Sequence, residues 1–198
     1  MAFTSQITKI YLLRHAETDK NILKKNEQSF SEEKNSSLLF DKNCMLNHNG
    51  KLQANIVGDY FASIEHNIVA IYSSPLLRAV ETADIILKHM GKDIDFNIDD
   101  RLFSGKKNKN IDESNMINDI KDLLNEIIES YKGYDVLLIT HNHIFNIICK
   151  LFISKGESCK IKVSNCSMSC IEFSSDDIKT EPKVIFWNKK IKISYTLV

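Results

Sequence analysis

Three short, uninterrupted apolar runs, each breaking off at a polar cluster, constrain this chain more than any other feature. The first, Ile10-Tyr11-Leu12-Leu13, is followed at once by Arg14-His15-Ala16-Glu17-Thr18. The second, Ile68 to Tyr72, gives way to Ser73-Ser74-Pro75, and the third, Val136 to Ile139, to Thr140-His141-Asn142-His143. Runs this short and this apolar suit strands buried on both faces, as in a parallel sheet covered by helices. Ionisable residues at the end of such a strand are where open α/β sheets carry their sites.

The intervening segments follow a helical period. Leu52, Ile56, Val57, Tyr60, Phe61 and Ile64 form one apolar stripe, and Met116 through Tyr131 form the clearest one. Ile144, Phe145, Ile147, Ile148, Leu151 and Phe152 form another. Pro75 fits the first turn of a helix with Ser74 as its cap, and Gly91 and Gly133 fit helix stops. Ile94 to Ile98, Val163 to Phe173 and Val184 to Tyr195 read as further strands, and Lys24 to Asn43 as a long polar surface loop. The order predicts a three-layer α/β/α sandwich with a mostly parallel central sheet, in a single domain over residues 1–198.

Lys plus Arg and Asp plus Glu both number 26, so the net charge is zero. No broad basic face exists for nucleic acid, and a cation that matters must be placed locally. The start of the chain has no basic segment leading into a long apolar run, so the expectation is a cytoplasmic protein that does not bind a membrane. The five cysteines form no CxxC, and the plain expectation is reduced thiols. Cys166 and Cys170 lack two further ligands at finger-like spacing, so neither a metal nor another cofactor is expected. Oligomeric state is left open.

His15 and His141 each follow a strand that a parallel sheet would set side by side. Arg14 adjoins the first, and Arg78 lies near the start of the helix after Ser73-Ser74-Pro75. A lone buried histidine is usually structural and a lone arginine usually solvated. Four such residues at three strand ends point instead to an oxyanion site, most naturally for phosphate. His143 reads as a nonligand, since no carboxylate cluster stands near His141-x-His143. His48, His66 and His89 read as solvated.

With these residues in view, the chain resembles the histidine phosphatase superfamily, which includes phosphoglycerate mutase. Tyr11 to Asn21 resembles the family's LxRHGxTxxN, Leu46 to Ala54 its LTxxGxxQA, and Tyr72 to Ala83 its YSSPLxRAxQTA. Leu138 to His141 resembles the segment of the second histidine, and Asn165 and Trp187-Asn188 resemble weaker late motifs. The resemblance implies that His15 attacks phosphorus and becomes phosphohistidine, while Arg14, Arg78 and His141 hold the phosphoryl oxygens. It further implies that Thr18 and Asn21 support the phosphate pocket and that Asn142 lies beside the ligand. A phosphorylated small molecule or a phosphoprotein would be the substrate. Neutral imidazole is a competent nucleophile near pH 7, and fixed cations supply most of the stabilisation a phosphoryl group needs.

Three departures from the pattern bear on the reaction. Ala16 replaces the usual Gly. Ser104 stands where many members carry a Glu general acid, leaving Glu113, Glu17 and the acids of the 24–43 loop as weaker candidates. The segment from Arg101 to Glu113 is short and basic, which argues against a phosphoglycerate mutase. Without an acid, good leaving groups such as aryl phosphates or phosphohistidine would be favoured. The other reading is a noncatalytic phosphate-binding module of the same fold.

Overall fold

The computed structural model describes residues 7–26, 43–91, 93–103, 113–154, 156–157, 159–174 and 181–192. Their elements run β1 (Ile7–Arg14), α1 (Asp19–Asn26), α2 (His48–Ser63), β2 (Ile68–Ser73), α3 (Leu77–Met90) and β3 (Asp95–Ile98). A 3₁₀ turn follows at Asp100–Leu102, then α4 (Glu113–Ser130), β4 (Asp135–Thr140), α5 (Asn142–Phe152), β5 (Ser167–Ser174) and β6 (Lys183–Lys190).

The strands form one sheet in the order β3-β2-β4-β1-β5-β6. The first four are mutually parallel, and β5 and β6 add to the β1 edge antiparallel. Side chains alternate across the pleat and so divide the core in two. Tyr11, Leu13, Leu137 and Ile139 face α2 and α3, where Val57, Phe61, Ala83 and Ile86 close one layer. Ile10, Leu12, Val136 and Leu138 face α4 and α5, where Leu123, Ile127, Phe145 and Ile148 close the other. The α/β/α sandwich and its largely parallel sheet are therefore as expected. No described helix is long and apolar enough to cross a membrane.

The local structure departs from expectation in four places. Residues 24–26, placed in a loop, end α1, and the rest of that loop lies outside the described residues. The helix starts at Asp19 because Asn21 Oδ1 accepts from the Thr18 N–H (3.1 Å), the reach-back of a capping box, with an acid in the first turn. Ser74 does not cap α3; Leu76 occupies that position without a side-chain bond. Gly91 does stop α3, in the left-handed region at φ 58°. Val163 to Cys166 precede β5 rather than belong to it, because Cys166 turns at φ 51° and its N–H bonds the Arg14 carbonyl at 3.1 Å.

The fourth departure is covalent. Cys149 and Cys159 form a disulfide, while Cys44, Cys166 and Cys170 are free and buried. The chain doubles back after α5 and brings the two Cα atoms to 6.0 Å, a return that sequence spacing does not announce.

Candidate active site

The C-terminal ends of β1, β2 and β4 lie together at the centre of the sheet. Beyond the strands, the ladder runs on through His15 N–H to the Thr140 carbonyl (2.9 Å) and Ser74 N–H to the Ile139 carbonyl (3.0 Å). Arg14, His15, Ser74 and His141 thus stand on backbone fixed by the sheet. There they border a cleft of about 300 Å³ lined by Arg14, His15, Thr18, Lys20, Asn21, Cys44, Arg78, His141, Asn142 and His143. All seven residues selected from sequence line it.

His15 and His141 are each 3% exposed, with ring centroids 5.0 Å apart. His15 Nδ1 lies 2.8 Å from the Ala16 carbonyl, which can only accept. Nδ1 therefore carries the hydrogen and Nε2 presents its lone pair. His141 Nε2 pairs with Ser74 Oγ at 2.8 Å, and its buried Nδ1 has no partner among the described residues. Burial first, then the charges of His15, Arg78 and Arg14, hold the His141 pKa well below that of a free imidazole. A hydroxyl on Nε2 leaves Nδ1 able to act as a donor to an oxyanion.

Arg14 donates from Nη1 to the Val163 carbonyl. Burial and the neighbouring Arg78 push its pKa down to about 10, still charged at neutral pH. Arg78, 7% exposed, enters from the first turn of α3. That helix is tied to the loop after β1 by Thr82, whose Oγ donates to the Arg78 carbonyl (2.6 Å) and accepts from the Ala16 N–H (3.1 Å).

Asn21 Oδ1 accepts from the Thr18 N–H (3.1 Å), the Thr18 hydroxyl (3.0 Å) and Asn165 Nδ2 (3.0 Å). Its amide nitrogen is the group it can offer a ligand. Asn142 Oδ1 accepts from the Val163 N–H at 2.7 Å, so it also anchors the segment that receives Arg14.

The candidate acids fare differently. Glu17 is buried away from the cleft lining, with Oε1 held by Asn49 Nδ2 at 2.8 Å and Asn47 Nδ2 at 3.4 Å. Glu113 pairs with Lys150 at 3.2 Å. Lys150 lies eight residues along α5 from Asn142, about 12 Å at 1.5 Å per residue. Ser104 lies outside the described residues. Among the described residues no Asp or Glu lines the cleft. His48 is exposed as expected, but His89 is not simply solvated: it bridges Asp59 and Asn55, each at 2.8 Å. His66 is half-buried against Phe61 and accepts from the Ile68 N–H.

Sequence reasoning gave Asn165 too small a part. Its Nδ2 donates to the His15 carbonyl (3.1 Å), the Ala16 carbonyl (3.3 Å) and Asn21 Oδ1 (3.0 Å). Only its place in a late family motif marked it. Ser74 was read as a helix cap rather than as the partner of His141, because a contact between two strand ends leaves no spacing signature.

The fold is that of an α/β protein whose two imidazoles and two guanidiniums line one cleft at the C-terminal ends of its parallel strands. Sequence similarity to the histidine phosphatase superfamily (branch 1) extends over residues 10–103 and 114–185, and the chain belongs to that superfamily. No curated protein matches it by sequence. Among solved structures it is similar to phosphoglycerate mutase from Bacillus anthracis str. Sterne, with TM-score 0.70, 18% identity, and 94% and 95% of the two chains covered. A mycobacterial glucosyl-3-phosphoglycerate phosphatase complexed with VO3 gives 0.66 and 15%, covering 91% of this chain and 98% of that one. Phosphoserine phosphatase from Entamoeba histolytica, in complex with 3-phosphoglyceric acid, gives 0.65 and 18%, covering 92% and 97%. At these identities the likeness establishes the fold.

Proposed function

We propose that the protein is a metal-independent phosphatase that hydrolyses phosphomonoesters or phosphohistidine through a phosphohistidine intermediate on His15. The observation that carries this reading is the joint lining of one cleft by Arg14, His15, Arg78 and His141. His15 Nε2 attacks phosphorus as the bond to the leaving oxygen breaks. Arg14, Arg78 and His141 Nδ1 meet the charge on the phosphoryl oxygens. Water then attacks the phosphohistidine, the P–N bond breaks, and inorganic phosphate leaves. Removing either arginine is expected to cost on the order of 3 kcal/mol, about a hundredfold in rate.

The absence of a carboxylate from the described lining supports a preference for leaving groups that need little protonation. The same observation favours a second reading, a phosphate-binding module without turnover. Rapid acid quench is the wrong trap for an acid-labile adduct, so the test uses denaturation in alkali during turnover of a labelled aryl phosphate. Label is expected on His15. Turnover by His15→Ala with no trapped phosphate rejects the mechanism, and tight phosphate binding without turnover selects the binding module.

A further inference from the structure

We propose that His143 is the proton donor to the leaving-group oxygen, an inference that rests on the phosphatase reading above. An alkoxide leaving a phosphoryl group needs a proton. Among the described residues, the two carboxylates expected to supply it, Glu17 and Glu113, do not line the cleft, and Ser104 and the acids of the 24–43 loop lie outside those residues. Glu17 is held by two asparagine amides, and Glu113 is held by Lys150 well along α5. Among the described residues, the titratable or charged groups that share the cleft are Arg14 at the end of β1 and His15 just past it, Lys20 from α1, Cys44, Arg78 from α3, and His141 and His143 at the start of α5.

Most of these are disqualified by chemistry or by an existing task. Guanidinium and ammonium groups hold their protons too tightly to give them up near neutral pH. His15 is the nucleophile, and its Nδ1 is committed to the Ala16 carbonyl. His141 is buried, paired with Ser74 and held neutral. Cys44 is 9% exposed, and a thiol is a weak acid beside an imidazolium. His143 remains. It lines the same cleft, lies in the first turn of α5 and is exposed to solvent, so its ring can exchange protons with water between turnovers. Imidazolium is the side-chain acid best matched to neutral pH.

The step balances. The His15 Nε2 lone pair forms the P–N bond while the ester P–O bond breaks. The electron pair of that bond passes to the ester oxygen, which takes a proton from the His143 imidazolium and leaves as the alcohol. In the second step neutral His143 accepts a proton from the attacking water. The P–N pair returns to His15 as inorganic phosphate departs.

The test compares wild type with His143→Asn and His143→Gln on an alkyl phosphate and on nitrophenyl phosphate, at about pH 6 and about pH 8.5, either side of imidazole titration. Both variants are expected to lose on the order of a hundredfold more rate on the alkyl ester than on the aryl ester at the lower pH. In wild type the alkyl-to-aryl rate ratio falls as pH rises, and in the variants it stays flat. Equal loss on the two esters, or a wild-type ratio that does not change with pH, overturns the proposal. Trapping of phosphate on His15 from nitrophenyl phosphate, run on all three proteins, separates the two levels. Label on His15 with unchanged leaving-group dependence removes only the His143 role, whereas no label on wild type removes the phosphatase reading and this proposal with it.

Discussion

Replacing Asn165 tests how firmly the loop carrying His15 is held. Its single NH2 group has two hydrogens and three acceptors: the His15 carbonyl, the Ala16 carbonyl and Asn21 Oδ1, between 3.0 and 3.3 Å away. One hydrogen is therefore shared, and the group is counted as two bonds. At about 1 kcal/mol net each, Asn165→Ala is expected to cost about 2 kcal/mol. For a chain of this length that lowers Tm by roughly 4–8 °C. Asn165→Asp keeps the shape but turns an acceptor carboxylate toward three oxygens, so it is expected to cost about 1–3 kcal/mol more than alanine. The assay is urea unfolding of wild type and both variants at neutral pH, with m compared as well as midpoint. An aspartate variant as stable as wild type, or an alanine variant within about 0.5 kcal/mol of it, would refute the reasoning, since that is the range of inert surface changes.

A Cβ at Gly50 would sit 2.0 Å from the Glu17 carbonyl oxygen, which belongs to backbone and cannot swing aside. Gly50→Ala is expected to destabilise by about 1–3 kcal/mol and, on the phosphatase reading, to weaken inorganic phosphate binding, because Glu17 continues the loop that carries His15. Unaltered Tm and phosphate affinity would count against that close approach. His141 has a folded pKa below its unfolded one, so the unfolded chain binds more protons in that range and stability rises with pH. Stability from this source is complete above about pH 6.5 and is lost as pH falls toward the folded value. Urea midpoints across that range should show a shallower slope for His141→Gln than for wild type; identical slopes would exclude His141 as the source.

The sheet and its two helical layers were legible because Ile10 to Leu13 and Val136 to Ile139 could only be strands covered on both faces. The gathering of Arg14, His15 and His141 at one cleft was legible because sheet topology carries them to adjacent strand ends whatever the loops do. What escaped was tertiary in origin. Asn165 meets the His15 loop across nearly the whole sequence, and Ser74 meets His141 between strands far apart in the chain. Glu113 was legible as a helix start, but only the position of Lys150 on α5 shows where its carboxylate goes.

The bond between Cys149 and Cys159 closes a loop with a sequence separation of 10, for which chain-entropy arguments give about 2.7 kcal/mol. Just past that loop, Val163 receives the Arg14 guanidinium and donates to Asn142. The segment that receives Arg14 is thus leashed by sulfur as well as by packing. The rigidity of that segment is consequently a property the protein shares with its thiol surroundings, while the sheet beneath it answers to sequence alone.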